Sequence, residues 1–154
     1  MKRCFVVLLL AAFLSFAFGT ALAQTVSCPA GGFSISLPDH FTQQPLSSAD
    51  PDLCLHYRGN RMTVVAYASY LGEVAGTDLF QVLTGNETAS GMVNRNGMSM
   101  LYASGTDASG AWLMYSWMDR GNNVTLYFYY PAGDSACADT AESIMNSIAF
   151  DAGH

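Results

Sequence analysis

The chain has 154 residues, with 12 acidic against 6 basic side chains and a formal net charge of −6. That balance excludes the electrostatic footprint needed to bind nucleic acid or to be drawn to anionic lipid. Beyond Cys4, the cysteines at 28, 54 and 137 are too scattered for zinc-ligand spacing.

Met1-Lys2-Arg3-Cys4 is followed by Phe5 to Phe18 with almost no polar residue, then by Ala21-Leu22-Ala23. A positive start, an apolar run and a small-residue motif predict a secretory signal peptide over 1–23, cut after Ala23. The apolar run falls short of the roughly 20 residues that a membrane span needs. A secreted or extracytoplasmic domain over 24–154 is therefore expected, without stable membrane insertion after cleavage. A lipoprotein acylated at Cys28 is disfavoured, because Thr25-Val26-Ser27 lacks the usual leucine three residues upstream. Cleavage would remove Lys2 and Arg3, leaving Arg58, Arg61, Arg95 and Arg120 as the only Lys or Arg residues, so the acidity reads as solubility outside the cell.

In chain order, Cys28 to Gly32 reads as an irregular lead-in. Phe33-Ser34-Ile35-Ser36-Leu37 alternates strictly and predicts a strand with one face in the core. His40 to Pro51 is polar and proline-bearing, so it reads as a loop. Leu53 to Tyr57 and Met62 to Leu71 predict a hairpin, with Cys54 and His56 sharing one face of its first strand. Thr77 or Asp78 can cap a short helix running to Thr84, with Gly85 as its stop. Glu87 to Arg95 and Met98 to Ser104 predict two strands joined by a type I′ turn at Asn96-Gly97. Gly105 to Gly110 reads as a loop.

The stretch from Gly110 to Pro131 is the centre of the pattern. Two aromatic and β-branched runs flank Asp119-Arg120-Gly121-Asn122-Asn123, where Gly and Asn can supply the positive φ of a hairpin turn. Trp112, Met114 and Met118 alternate with Leu113, Tyr115 and Trp117. Val124, Leu126, Phe128 and Tyr130 alternate with Thr125, Tyr127 and Tyr129. A hairpin apolar on both faces belongs in the middle of a sheet covered at least partly on both sides. After Pro131-Ala132-Gly133, Asp134 or Ser135 caps a last helix. Its stripe of Cys137, Ala141, Ile144, Met145 and Ile148 should lie on the sheet, with Asp139 and Glu142 off that stripe. Phe150 closes the pattern.

An opening Phe-Ser-Ile-Ser-Leu-Pro strand, a run of antiparallel strands interrupted by a short helix, and a closing Ala-Glu-Ser-Ile-Met-Asn-Ser-Ile-Ala-Phe helix resemble the PsbP/DcrB-like superfamily. That superfamily includes a photosystem II extrinsic protein, a nuclear Ran-binding import factor and small exported bacterial proteins. The resemblance implies one α+β domain over 24–154: a curved antiparallel sheet of about six to seven strands, with a short middle helix and a C-terminal helix packed on it. It implies binding of another macromolecule and no catalytic residues.

The residues themselves point the same way. No Gly-x-Ser-x-Gly elbow is present; Ser90-Gly91 and Ser109-Gly110 are half-matches in turns. Asp39-His40 and Asp50-Pro51-Asp52 offer two ligands each, against the six to eight oxygens that Ca²⁺ takes. The expectation is therefore no catalytic residue, no cofactor and no metal. Asn86-Glu87-Thr88 and Asn123-Val124-Thr125 match the glycosylation sequon, which matters only in a eukaryotic source. Tyr67, Tyr70, Tyr102, Tyr115, Tyr127, Tyr129 and Tyr130, with Trp112 and Trp117, fit core packing or a binding surface for a protein or cell-envelope component. The alternative is a secreted hydrolase or thiol enzyme using Cys54 and His56. Three cysteines imply one disulfide and one buried thiol. Cys137 faces the sheet and Cys28 lies outside the regular strands, so Cys28–Cys137 is the expected bridge, with Cys54–Cys137 as its competitor.

Overall fold

In the computed structural model, residues 23–72 and 85–152 are described. The predicted signal peptide and the short helix from Thr77 or Asp78 to Thr84 lie outside those residues, apart from Ala23. Among the described residues, two antiparallel sheets and one α-helix enclose a common core. The small sheet, ordered β1-β2-β10, comprises β1 (Ala23–Cys28), β2 (Phe33–Pro38) and β10 (Ala149–Phe150). The large sheet runs β3-β4-β5-β9-β8-β7-β6. Its strands are β3 (Thr42–Gln43), β4 (Leu53–Arg58), β5 (Thr63–Tyr70), β6 (Ala89–Arg95), β7 (Met98–Asp107), β8 (Gly110–Asp119) and β9 (Asn122–Tyr130). The aromatic hairpin β8–β9 takes the middle of this sheet, where its two apolar faces require it to be.

Pleating divides β8 and β9 cleanly. Leu113, Tyr115, Trp117, Val124, Leu126 and Phe128 enter the main core with Met100, Val64 and Ala66. Against them pack Phe33, Ile35 and Leu37 of β2 and the stripe of α1 (Ser135–Asn146), where Ala141, Ile144 and Met145 are buried. Trp117 makes edge contacts with Phe33 at 5.2 Å and Phe150 at 5.9 Å, joining the small sheet to the large one. Asp134 is the N-cap of α1 and accepts from the Cys137 backbone N–H at 3.1 Å. Glu142 lies off the apolar stripe but reaches the sheet. It accepts from the Tyr115 hydroxyl at 3.0 Å and pairs with Arg95, which also donates to Asn146 Oδ1 at 2.8 Å.

Several local expectations change. The lead-in from Cys28 to Gly32 is a short 3₁₀ turn over Pro29–Gly31, and the stretch before it forms a strand that was not expected: β1 alternates, burying Val26 and Cys28, and pairs along β2. The first predicted strand consequently joins the small sheet, not the large one. Gly105 to Gly110 is no open loop. Asp107 and Gly110 are paired, leaving a two-residue turn at Ala108-Ser109. At the β8–β9 turn the positive φ falls on Arg120 (46°) and Gly121 (80°), because Asp119 pairs with Asn122 and both asparagines belong to the strand. Asn96-Gly97 takes positive φ at both positions, as a type I′ turn demands. Phe150 belongs to β10, paired with Phe33, and the helix ends before it.

Among the described residues the disulfide is Cys28–Cys54, with Cα atoms 5.8 Å apart, and Cys137 is the free cysteine. Neither the expected Cys28–Cys137 nor its competitor Cys54–Cys137 forms. The reason is a bulge in β4. Leu53 pairs with Tyr67 but Leu55 pairs with Ala66, so Cys54 is the extra residue between them. A bulge shifts the parity of a strand. Here it places Cys54 against the main core, next to the inward-facing Cys28 of β1. Cys137 packs at the edge of that core, 3.9 Å from the Arg61 carbonyl oxygen.

Candidate functional site

The face of the large sheet turned away from α1 carries a second, smaller cluster: Leu101, Ala103 and Met114, with Trp112 and Tyr127 packed against it. These residues share a face through register. Trp112 stands opposite Tyr129 and Gly105, and Met114 opposite Tyr127 and Ala103. Tyr127 in turn faces Val65 on β5. The result is a pocket of about 260 Å³. Among the described residues its apolar part is Trp112, Met114, Tyr127 and Tyr129, and its polar rim is Asn86, Glu87, Thr106 and Asp107.

The aromatic walls are ordered by their neighbours. Tyr127 and Tyr129 lie nearly parallel, 13° between planes and 5.6 Å between centroids, and Tyr67 meets Tyr127 edge-on at 6.3 Å. Trp112 leans over Gly105, where an added Cβ would stand 2.5 Å from the indole. The Tyr129 hydroxyl is pushed up to about 12, first by desolvation, then by Tyr127, Tyr67 and Asp107. Tyr127 is raised for the same first reason. Both phenols therefore stay protonated at neutral pH and offer hydrogen bonds and π faces rather than oxyanions. Asp107 is fixed by the turn it opens, its Oδ1 accepting from the Ser109 backbone N–H at 2.7 Å.

Cyanobacterial PsbP from Synechocystis sp. PCC 6803 superposes on this architecture with a TM-score of 0.66, across 87% of this chain and 95% of that one, at 13% sequence identity. The fold is PsbP-like. A protein of Bacteroides thetaiotaomicron aligns with a TM-score of 0.50 and 15% identity, over 83% of this chain but only 48% of its own length. No family model matches the chain, and no curated protein sequence does.

On this PsbP-like scaffold the residues singled out in the sequence separate. Tyr67, Trp112, Tyr127 and Tyr129 gather on the pocket face, whereas Tyr102, Tyr115, Trp117 and Tyr130 belong to the main core or its edge. Tyr70 is 74% exposed at the end of β5. The Cys54–His56 pair does not form. Cys54 is bonded to Cys28, and His56 stands opposite Val65 on the other side of the sheet. Asp52 accepts from the Ser69 hydroxyl at 2.7 Å, tying its loop to β5. His40 packs on Phe41. Asn123 accepts from the Ser116 and Thr125 hydroxyls at 3.0 and 3.1 Å within the sheet. Among the described residues no three His, Cys, Asp or Glu side chains gather as metal ligands would.

The sequence did not mark Gly105 or Asp107 as site residues; Met114 stood out only for its place on the hairpin, and Asn86-Glu87 only as part of a sequon match. One signal was present: a glycine inside an alternating apolar run marks a place where a ring or backbone approaches closely.

Proposed function

We propose that this chain is an extracytoplasmic, non-enzymatic binding domain, and that the pocket walled by Trp112, Met114, Tyr127 and Tyr129 is where it holds a protein or cell-envelope component. The observation that carries this reading is the concentration of amphipathic aromatics on the sheet face that the helix does not cover. Trp and Tyr dominate binding hot spots because they bury large area at small entropic cost and keep a polar tip for a partner. The disulfide fits an oxidising compartment. Among the described residues the titratable groups of the pocket lining are the carboxylates of Glu87 and Asp107 and the phenols of Tyr127 and Tyr129.

Immobilised wild-type protein and the Trp112→Ala and Tyr129→Ala variants, challenged with the producing cell's envelope extract, test the reading. Specific capture by the wild type that both variants lose supports it. Capture unaffected by either substitution places the site elsewhere. Turnover of a generic ester, peptide or glycoside substrate abolished by a pocket variant would replace the binding reading with an enzymatic one.

A further inference from the structure

Resting on that reading, we infer that the pocket receives a cationic side chain, a lysine ammonium or arginine guanidinium, presented by an extended segment of a partner protein.

Charge and shape converge on this occupant. Two mutually stacked phenol rings and an indole line the space, and an aromatic face left open beside such a stack attracts cations. The rim supplies the carboxylates of Asp107 and Glu87, and no Arg, Lys or His lines the pocket among the described residues. The chain as a whole is acidic, at −6. A cation entering here meets favourable potential at long range and aromatic faces at contact. An anion meets neither.

Size selects a side chain over a whole small molecule. About 260 Å³ lies below the roughly 300–1,000 Å³ of sites that engulf a drug-sized ligand, and Tyr129 at the rim remains 41% exposed. The surface does not stop there. Tyr129 is shared with a second depression of about 310 Å³, lined by Arg58, Arg61, Thr63, Ser109 and Tyr130 among others. Its charge is opposite. A segment placing a basic side chain in the first pocket can run over Tyr129 and set an acidic residue towards Arg58. A free ammonium ion or a lipid headgroup would use only the first half of this surface.

The test uses capped pentapeptides Gly-Gly-Lys-Gly-Asp and Gly-Gly-norleucine-Gly-Asp, which share a stem and differ in the charge. Tetramethylammonium and phosphatidylcholine vesicles serve as the other probes. The full-length mature protein is titrated, and the indole N–H resonance of Trp112 is followed. The lysine peptide should shift it saturably and the norleucine peptide should not. Trp112→Phe keeps a ring and reduces affinity modestly, and Trp112→Ala weakens it by about ten-fold or more, with the backbone resonances as readout for both. Asp107→Asn, which keeps the acceptor for Ser109, weakens the lysine peptide and makes its binding less sensitive to salt. Equal binding of both peptides overturns the inference, as does binding of tetramethylammonium or vesicles without the lysine peptide. If no peptide binds while envelope capture still depends on Trp112, the inference fails and the pocket reading survives. If capture ignores Trp112 as well, both fail.

Discussion

The indole of Trp112 lies so close over Gly105 on the neighbouring strand that a Cβ there would stand 2.5 Å from Cζ2 and 2.7 Å from Cε2. Gly105 needs no unusual backbone angle, so it is the missing side chain that matters. Gly105→Ala should push the ring off β7 and alter the pocket, at a cost of about 1–3 kcal/mol for overpacking. A urea melt measures the cost, and the Trp112 indole resonance reports the displacement. An unchanged melt and an unchanged resonance would mean that the ring is not held over Gly105.

Cys28–Cys54 closes a sequence separation of 26 residues and ties β1 to β4. In the chain-entropy model such a loop contributes about 3–4 kcal/mol. The Cys28→Ala/Cys54→Ala double variant should lose stability of that order in chemical denaturation. Peptide mapping without reduction should recover 28 and 54 linked and Cys137 alkylated. Alkylation of native Cys137 should be slow at neutral pH, because desolvation first, and Asp134 second, raise its thiol above the usual value. A linked peptide containing Cys137 would overturn this pairing.

The elements that could be read from the sequence are those whose signal is local and periodic. The β8–β9 runs, the Asn96-Gly97 turn and the α1 stripe each carry their reason within about ten residues, and each stands where its pattern placed it. The cysteine pairing could not be read that way. It depends on one extra residue in β4, which turns Cys54 from the His56 side to the core, and no propensity marks a bulge between two leucines. β1 carried a weak signal, Thr-Val-Ser-Cys alternation, hidden beside the apolar run that precedes it in the sequence. The pocket was half legible. Its aromatics were visible as a set, but separating Trp112, Tyr127 and Tyr129 from Tyr115 and Trp117 needs pairing register, and Asp107 joins them only because Gly105 to Gly110 closes as a tight hairpin.

Asp134 does two things at the start of α1: it caps the helix through Cys137 and pairs with Arg61 at 3.0 Å. Its pKa lies below the usual carboxylate value, chiefly through the Cys137 backbone N–H, with Arg61 contributing less. Since the folded value is the lower one, this contribution is present above the unfolded pKa of about 3.9 and is lost as pH falls through the folded value. Asp134→Ala should lower stability measurably at neutral pH, and Asp134→Asn, which retains a capping oxygen, clearly less. Thermal melts at pH 7 and pH 3 check both statements: the Ala penalty should shrink at the lower pH. Equal penalties for Ala and Asn would mean that the oxygen does not cap.

The alkaline side of the stability profile belongs to the tyrosines. Tyr115 is buried and its hydroxyl is pushed up to about 12, first by desolvation and then by the negative charge and hydrogen bond of Glu142, against an opposing effect of Arg95. Tyr129 is raised to about 12 as well, but it is 41% exposed and solvent screens part of its effect. In the unfolded chain both ionise near 10. The folded state therefore holds protons that the unfolded state releases. The stabilisation is complete below about pH 10 and is lost as pH rises towards 12. Absorbance of tyrosinate, followed with circular dichroism between pH 9 and pH 13, should show some tyrosines ionising early while the fold persists. Tyr115 should ionise last, together with unfolding. Glu142→Gln should bring Tyr115 ionisation and alkaline unfolding to lower pH, because it removes the negative charge that opposes the phenolate and leaves Arg95 to favour it. Tyr115 titrating with the exposed tyrosines, in either protein, would show that the hydroxyl is not held beneath α1 as the geometry requires.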